Sequence, residues 1–289
     1  MSIIFTPDSL RSQVEAATGG HITVLYDDKG YPSYMRVIPK FRYEDLGMDA
    51  TFGTGVATAF LVNGQEKSEI FVGQYQASVY DGRAVSLPGK DPRTGIDWDA
   101  SRAACEDKGP GWHLMTMHEW AAIALWCKAN GFEPRGNTDY GRAHDANHET
   151  AVRQDGEAPG VNSGSARTMT GGGPASWRHD GGPQGIADLV GNVWEWQWGT
   201  KIQDGRVFAA PDNDPNLAES DWQDTGVDIT DADPWTSSTV TGTELTDRLL
   251  ITHAGVDLQG RLYVNQEGER FPRRGGRWSY GSNAGLGAL

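Results

Sequence analysis

Between Asp188 and Trp196 the chain reads Asp-Leu-Val-Gly-Asn-Val-Trp-Glu-Trp. Four of these residues offer oxygen: Asp188 and Glu195 through carboxylates, Gly191 and Val193 through backbone carbonyls. A hard cation such as Ca²⁺ takes roughly six to eight oxygens, and carbonyls set between acids can supply them. The same stretch has a plainer reading, in which Trp194 and Trp196 anchor a core and Glu195 pairs with an arginine.

Other residues with chemical potential point to structure more than to reaction. His144-Asp145-Ala146-Asn147-His148-Glu149 superficially resembles the zinc motif H-E-x-x-H, which needs a rigid helix to present both imidazoles on one face. Its flanks are polar and bounded by glycine, which predicts a solvated loop. His113 and His118 flank a capping sequence and read as local structure. Asp212-Asn213-Asp214 offers three donors to a second cation but lacks the glycine and distal glutamate of an EF-hand. It belongs to an acidic run (Asp212, Asp214, Glu219, Asp221, Asp224, Asp228, Asp231 and Asp233) with no basic residue between Arg206 and Arg248, which reads as a solvated face. No G-x-S-x-G, P-loop or dinucleotide fingerprint occurs. Cys105 and Cys127 form neither a C-x-x-C nor a Cys/His pattern. They read as buried free thiols, or as one bridge between two helices.

The elements that must position these residues follow from local signals. Thr6-Pro7 predicts a short helix through Ala17, stopped by Gly19-Gly20. Asp27-Asp28-Lys29-Gly30 joins β-like runs His21 to Tyr26 and Tyr31 to Ile38 as a hairpin. A second pair, Ala57 to Val62 and Glu69 to Tyr75, surrounds Asn63-Gly64. Asp97 is placed to cap a helix from Trp98 to about Asp107. Thr116 and Glu119 form a capping box, T-x-x-E, for a helix from Met117 to Asn130 with Trp120, Ile123, Ala124 and Cys127 on one face. Residues 134–185, with Gly171-Gly172-Gly173-Pro174 at their centre, and 203–247 lack any period and predict long surface loops.

Composition sets the class. The 289 residues are 37% hydrophobic, and 38 glycines with 11 tryptophans predict a loop-rich globular fold pinned by large aromatic side chains. A formal charge of -14 repels phosphate backbones, which argues against nucleic acid as a partner. The amino-terminal residues lack the basic start and apolar core of a secretion signal, and the longest apolar run, Ala121 to Cys127, is too short to cross a bilayer. The expectation is cytoplasmic synthesis without membrane insertion.

Four segments, in order, resemble the formylglycine-generating-enzyme (sulfatase-modifying factor) family. Ile96-Asp97-Trp98-Asp99-Ala100-Ser101-Arg102 with Cys105 is similar to its first-helix motif, and Gly111 to Thr116 with Glu119-Trp120 to its second-helix opening. Gly185-Ile186-Ala187-Asp188-Leu189-Val190-Gly191-Asn192-Val193-Trp194-Glu195-Trp196 resembles its most specific signature, and Arg274-Gly275-Gly276-Arg277-Trp278 its closing R-G-G-S-W. The resemblance spans roughly Glu69 to Tyr280. Segments 121–126, 134–137, 173–177 and 281–285 look closest to phage tail and retroelement-diversified variable proteins.

The resemblance implies an α+β, C-type-lectin-like fold with two helices, short antiparallel strands and long loops. Residues 1–45 would form an arm or an integral part, and 46–289 the lectin-like domain without its last strand. It implies structural calcium at Asp188, Gly191, Val193 and Glu195. Catalytic members use a carboxyl-terminal cysteine pair, and no cysteine follows Cys127, so a thiolate ligand or nucleophile is missing. The expectation is a non-catalytic binding protein, a phage tail or variable protein at the virion or an extracellular surface. Trp278, Ser279, Tyr280 and Asn283 would meet a cell-surface protein or glycan, and analogy with tail fibres suggests a homo-oligomer. The alternatives are an oxidoreductase of the formylglycine-generating or sulfoxide-synthase type, and a calcium-dependent carbohydrate-binding lectin.

Overall fold

A computed structural model describes residues 8–229, 241–252 and 256–289. Helix α1 (Ser9–Thr18) is capped by Asp8, whose side chain accepts from the Arg11 N–H. Thr6 and Pro7, expected to open this helix, lie outside the described residues. The predicted hairpin forms as β1 (Ile22–Tyr26) and β2 (Pro32–Pro39). Its sheet has the order β1-β2-β5, because β2 also pairs antiparallel with β5 (Glu69–Gly73). A short helix, α2 (Asp49–Phe52), lies between.

The second predicted strand pair forms differently. Asn63 and Gly64 both take positive φ, 49° and 70°, the requirement of a two-residue type I′ hairpin. They join only β3 (Leu61–Val62) to β4 (Gln65–Glu66), while Thr58–Phe60 is a 3₁₀ turn. A further hairpin joins β6 (Ser78–Tyr80) to β7 (Arg83–Val85).

Helices α3 (Trp98–Glu106) and α4 (Met117–Ala129) stand where their caps place them. The Asp97 carboxylate accepts from Ala100 N–H, and the Thr116/Glu119 capping box is complete. Helix α4 is buried well beyond one face: every residue from Met117 to Leu125, and Cys127, is buried. It is the axis of the main core, with Phe60, Ile186, Leu189, Ile202, Leu249 and Leu286 among its neighbours in that cluster. The Trp120 indole donates to Leu286 O at 2.9 Å.

The two stretches expected to be loops part ways. Residues 134–185 contain no helix or strand beyond the 3₁₀ turn Ala175–Trp177, yet they are more than surface. Ala143, Ala146, Ala151 and Trp177 make a small core. The buried Arg153 guanidinium donates to Asp155, Val161 O and Ser163 O. The other stretch is partly sheet among the described residues, with an irregular segment at residues 210–222. After β8 (Glu195–Trp196), strands β9 (Thr200–Gln203), β10 (Arg206–Ala209) and β11 (Gln223–Asp228) join β12 (Glu269–Arg270) in the order β11-β10-β9-β12. Asp204-Gly205, at φ 47° and 87°, turns β9 into β10 by the same chemistry as Asn63-Gly64. Helix α5 (Glu244–Arg248) follows, and β13 (Arg273–Arg274) pairs with β8.

The architecture is therefore mixed α+β with small antiparallel sheets. The two helices expected of the lectin-like domain and the expected amino-terminal one are joined by two others among the described residues, of four and five residues. None of the described helices is long and apolar enough to cross a membrane.

His118, on α4, is fully buried. Its ring nitrogens meet Thr58 Oγ1 at 2.8 Å and Ala210 O at 3.1 Å, and burial pushes its pKa down to about 4. The unfolded chain takes up this proton near the ordinary pH of about 6.5 and the folded chain only near 4, so the stability held by the neutral ring is complete above 6.5. It is lost as pH falls through that window, by an amount on the order of 3 kcal/mol. Imidazole nitrogen NMR should show His118 neutral at pH 5.5; a protonated ring there contradicts the assignment.

Candidate functional site

The two most distinctive segments of the sequence fold into one site. Strand pairing sets Arg273 opposite Trp196 and Arg274 opposite Glu195. Gly191 N–H donates to Gly275 O at 2.9 Å and Trp278 N–H to Asn192 O at 3.0 Å. This approach is possible only for glycine: a Cβ on Gly191 (φ +73°) would fall 2.1 Å from Asn137 O, and one on Gly275 (φ +88°) 2.5 Å from Leu189 O.

Strand alternation then divides the side chains between two faces. Inward go Glu195 and Arg274. The fully buried Arg274 donates to the carbonyls of Leu249 and Leu250, both at 2.8 Å. It is a strut beneath the site, its pKa lowered to about 9 by burial. Trp194, Trp196 and Arg273 take the other side. The Arg273 guanidinium lies 5.0 Å from the Trp196 ring centroid and 5.5 Å from that of Trp194. Trp194 meets Tyr280 edge-on at 5.4 Å, and Arg277 covers Tyr280 at 4.8 Å. The four aromatic residues Trp194, Trp196, Trp278 and Tyr280 are half-buried, while Arg273 and Arg277 are exposed. Among the described residues neither of these two arginines is ion-paired.

Of the residues singled out for ligand binding, Tyr280 lies in this ladder. Trp278 and Ser279 are half-exposed beside it, and Asn283 is exposed on the 3₁₀ turn that follows. Trp194, Trp196, Arg273 and Arg277 were not singled out. The available signal was the two-residue period of Trp-x-Trp, which puts both rings on one face of a strand.

On the inner side three of the four oxygen-bearing residues, Asp188, Val193 and Glu195, meet a donor. The Gln76 amide nitrogen is 3.0 Å from Asp188 O, 3.1 Å from Val193 O and 3.1 Å from Glu195 Oε1. Gln76 Oε1 accepts from Asn192 Nδ2 at 2.9 Å. Asn192 Oδ1 in turn accepts from Thr168 N–H at 2.7 Å and from Asn137 Nδ2 at 3.1 Å. These contacts fix which end of each amide is nitrogen. The Asp188 carboxylate is turned away and accepts from Gly171 N–H at 2.7 Å. Burial raises its pKa to about 6, against the pull of the Gly171 bond and Arg178. Burial likewise raises Glu195 to about 7, with the Asp188 charge adding to it and the Gln76 bond opposing. Three oxygens around an amide fall short of the roughly six to eight that calcium needs at about 2.3–2.6 Å. The donor set fits a hydrogen-bonding amide at its centre and does not fit the calcium that the resemblance implies. Among the described residues no group of three or more His, Cys, Asp or Glu side chains is placed to hold a metal ion.

The remaining candidates are structural. His144 bonds Thr138 Oγ1, His148 is exposed, and Glu149 accepts from the Trp177 indole at 3.0 Å, so the run from His144 to Glu149 assembles nothing. Asn213 is buried between Thr116, Glu119 and Ala59 O, while Asp224 and Asp228 pair with Arg206. Asp231 and Asp233 lie outside the described residues. Both cysteines are free, and burial raises the Cys105 thiol to about 12 and Cys127 further still. A cleft of about 280 Å³ is lined by Glu133, Arg135, His144 and Asp145, but Asp145 and Glu149 already neutralise its arginine.

Gln76 is the residue on which the inner face can be tested. Chelation with EDTA should leave the melting curve unchanged. Gln76→Ala should cost about 2–4 kcal/mol in urea unfolding, because several buried groups lose their partner. Gln76→Glu, which exchanges the donor for oxygens beside Glu195, should acquire a calcium-dependent rise in melting temperature. An EDTA-sensitive wild-type chain contradicts this account of the site.

No protein-family model matches the chain, and no curated protein matches it.

Proposed function

We propose that this protein is a non-catalytic binding module, a C-type-lectin-like scaffold that presents an aromatic and arginine face to a cell-surface ligand in the manner of phage tail and retroelement-diversified variable proteins. The observation that carries the reading is the joining of residues 188–196 to residues 273–278, through β8–β13 and the Gly191–Gly275 and Trp278–Asn192 bonds. One side of that junction is a buried polar network; the other is a half-exposed ladder of rings and guanidiniums.

The division suits recognition. Tryptophan, tyrosine and arginine give large contact areas at low entropic cost and dominate binding energy at protein surfaces. Here their backbone is held by hydrogen bonds that cannot shift without unpairing buried groups, so the face is preorganised and loses little freedom on binding. Chemistry is poorly served by the same arrangement. Both thiols are held protonated by burial, and His118 and His113 are committed to Thr58, Ala210 and Glu119. The buried carboxylate of Asp188 and the half-buried one of Glu195 face main chain and an amide.

The test is adsorption of the labelled chain to a printed array of microbial polysaccharides and to intact bacterial cells. Trp194→Ala and Tyr280→Ala should each weaken the strongest signal at least tenfold, about 1.4 kcal/mol, while circular dichroism shows the fold retained. Failure to bind any surface, or undiminished binding by both variants, counts against the proposal.

A further inference from the structure

Arg273 lies between the rings of Trp196 and Trp194, and Arg277 closes the ladder over Tyr280, and this order carries information about the ligand. The chain has 39 acidic residues against 25 lysines and arginines, and arginines near a carboxylate are engaged, as Arg206 is with Asp224 and Asp228. Arg273 and Arg277 are exposed, stacked on Trp194, Trp196 and Tyr280, and without an ion pair among the described residues. Two such cations on one face of so acidic a protein form a local exception to its charge. From the ladder we infer that the ligand is an acidic polysaccharide, a chain of pyranose rings bearing carboxylates; this rests on the binding-face reading above and specifies its ligand.

A guanidinium lying over an indole keeps its N–H edge free, and that planar fork matches a carboxylate in two parallel hydrogen bonds. Stacking also restrains the side chain, so little rotamer freedom is lost when the anion arrives. Trp194, Trp278 and Tyr280 are half-buried, and the ring surface they leave to solvent beside the arginines is apolar, to which the C–H face of a sugar ring is complementary. A uronic-acid polymer repeats the same two features, flat ring and carboxylate, along its length. An extended acidic peptide supplies the charges without the flat faces. The 280 Å³ cleft offers no comparable charge, since its arginine is occupied by Asp145 and Glu149.

Isothermal titration of the full chain with polygalacturonate, polyglutamate and dextran separates the cases. Polygalacturonate should bind, with affinity falling at least about tenfold between roughly 50 and 500 mM NaCl because exposed charges are screened. Polyglutamate and dextran should bind at least tenfold more weakly. The Arg273→Gln/Arg277→Gln double variant should lose at least tenfold toward polygalacturonate with an unchanged melting temperature. Equal binding of dextran shows that charge is not read, and equal or tighter binding of polyglutamate makes the partner an acidic protein. Either result overturns the inference, as does no binding to polygalacturonate. If array or cell adsorption is lost in Trp194→Ala but kept in the arginine double variant, the binding face stands and the acidic ligand falls.

Discussion

A backbone that runs from residue 134 to 185 with no strand and a single 3₁₀ turn satisfies its polar groups through loop backbone bonds and isolated bridges, and the paired amides of Gln76 and Asn192 tie it at residues 137 and 168 to the segment 188–195. Between them they engage main chain or side chains of residues 137, 168, 188, 193 and 195. Each amide is a donor at one end and an acceptor at the other, so a single rotation of either would bring like against like at several contacts. Low dielectric makes such unmade bonds costly. The network therefore sets one arrangement where residues 137 and 168 of the irregular stretch meet residues 188–195.

That rigidity reaches the surface through very few bonds. The main-chain carbonyl of Asn192 accepts from Trp278 N–H, and Gly191 N–H donates to Gly275 O. The rings of Trp194 and Trp196 are thus fixed from beneath by Glu195, which is tied to Gln76, and from the side by Arg273 on the partner strand. Buried Arg274, bound to the carbonyls of Leu249 and Leu250, ties that strand to the main core. Neighbouring residues in the two strands do opposite work: Arg273 and Trp196 face out, Arg274 and Glu195 face in.

Local signals proved sufficient where one turn or one cap decides the outcome. Asp97, Thr116 with Glu119, and Asn63-Gly64 each satisfy or require a particular backbone geometry within a single turn of chain, so α3, α4 and the β3–β4 turn could be placed from the chain alone. Asp204-Gly205 carries an equal signal for β9–β10, obscured by the acidic, aperiodic stretch that follows it. Helix α4 shows the limit of periodicity, because an all-round apolar surface signals burial without saying which neighbours bury it.

What the amino-acid order decided unaided is a folded α+β chain of strongly acidic charge, with two capped helices and a Trp-x-Trp segment near an aspartate and a glutamate. It could not decide what those carboxylates face. Gln76 lies 119 residues before Glu195, in a segment with no motif, and a lone glutamine has no spacing by which to be recognised. Only the tertiary structure brings its amide to the point where the oxygens converge, and only there does the competition between a cation and a hydrogen-bond donor have an outcome. The outer face was hidden for the same reason: Arg273 stacks on Trp194 and Trp196 because two strands far apart in the chain pair in one register, and register is a property of the packed sheet.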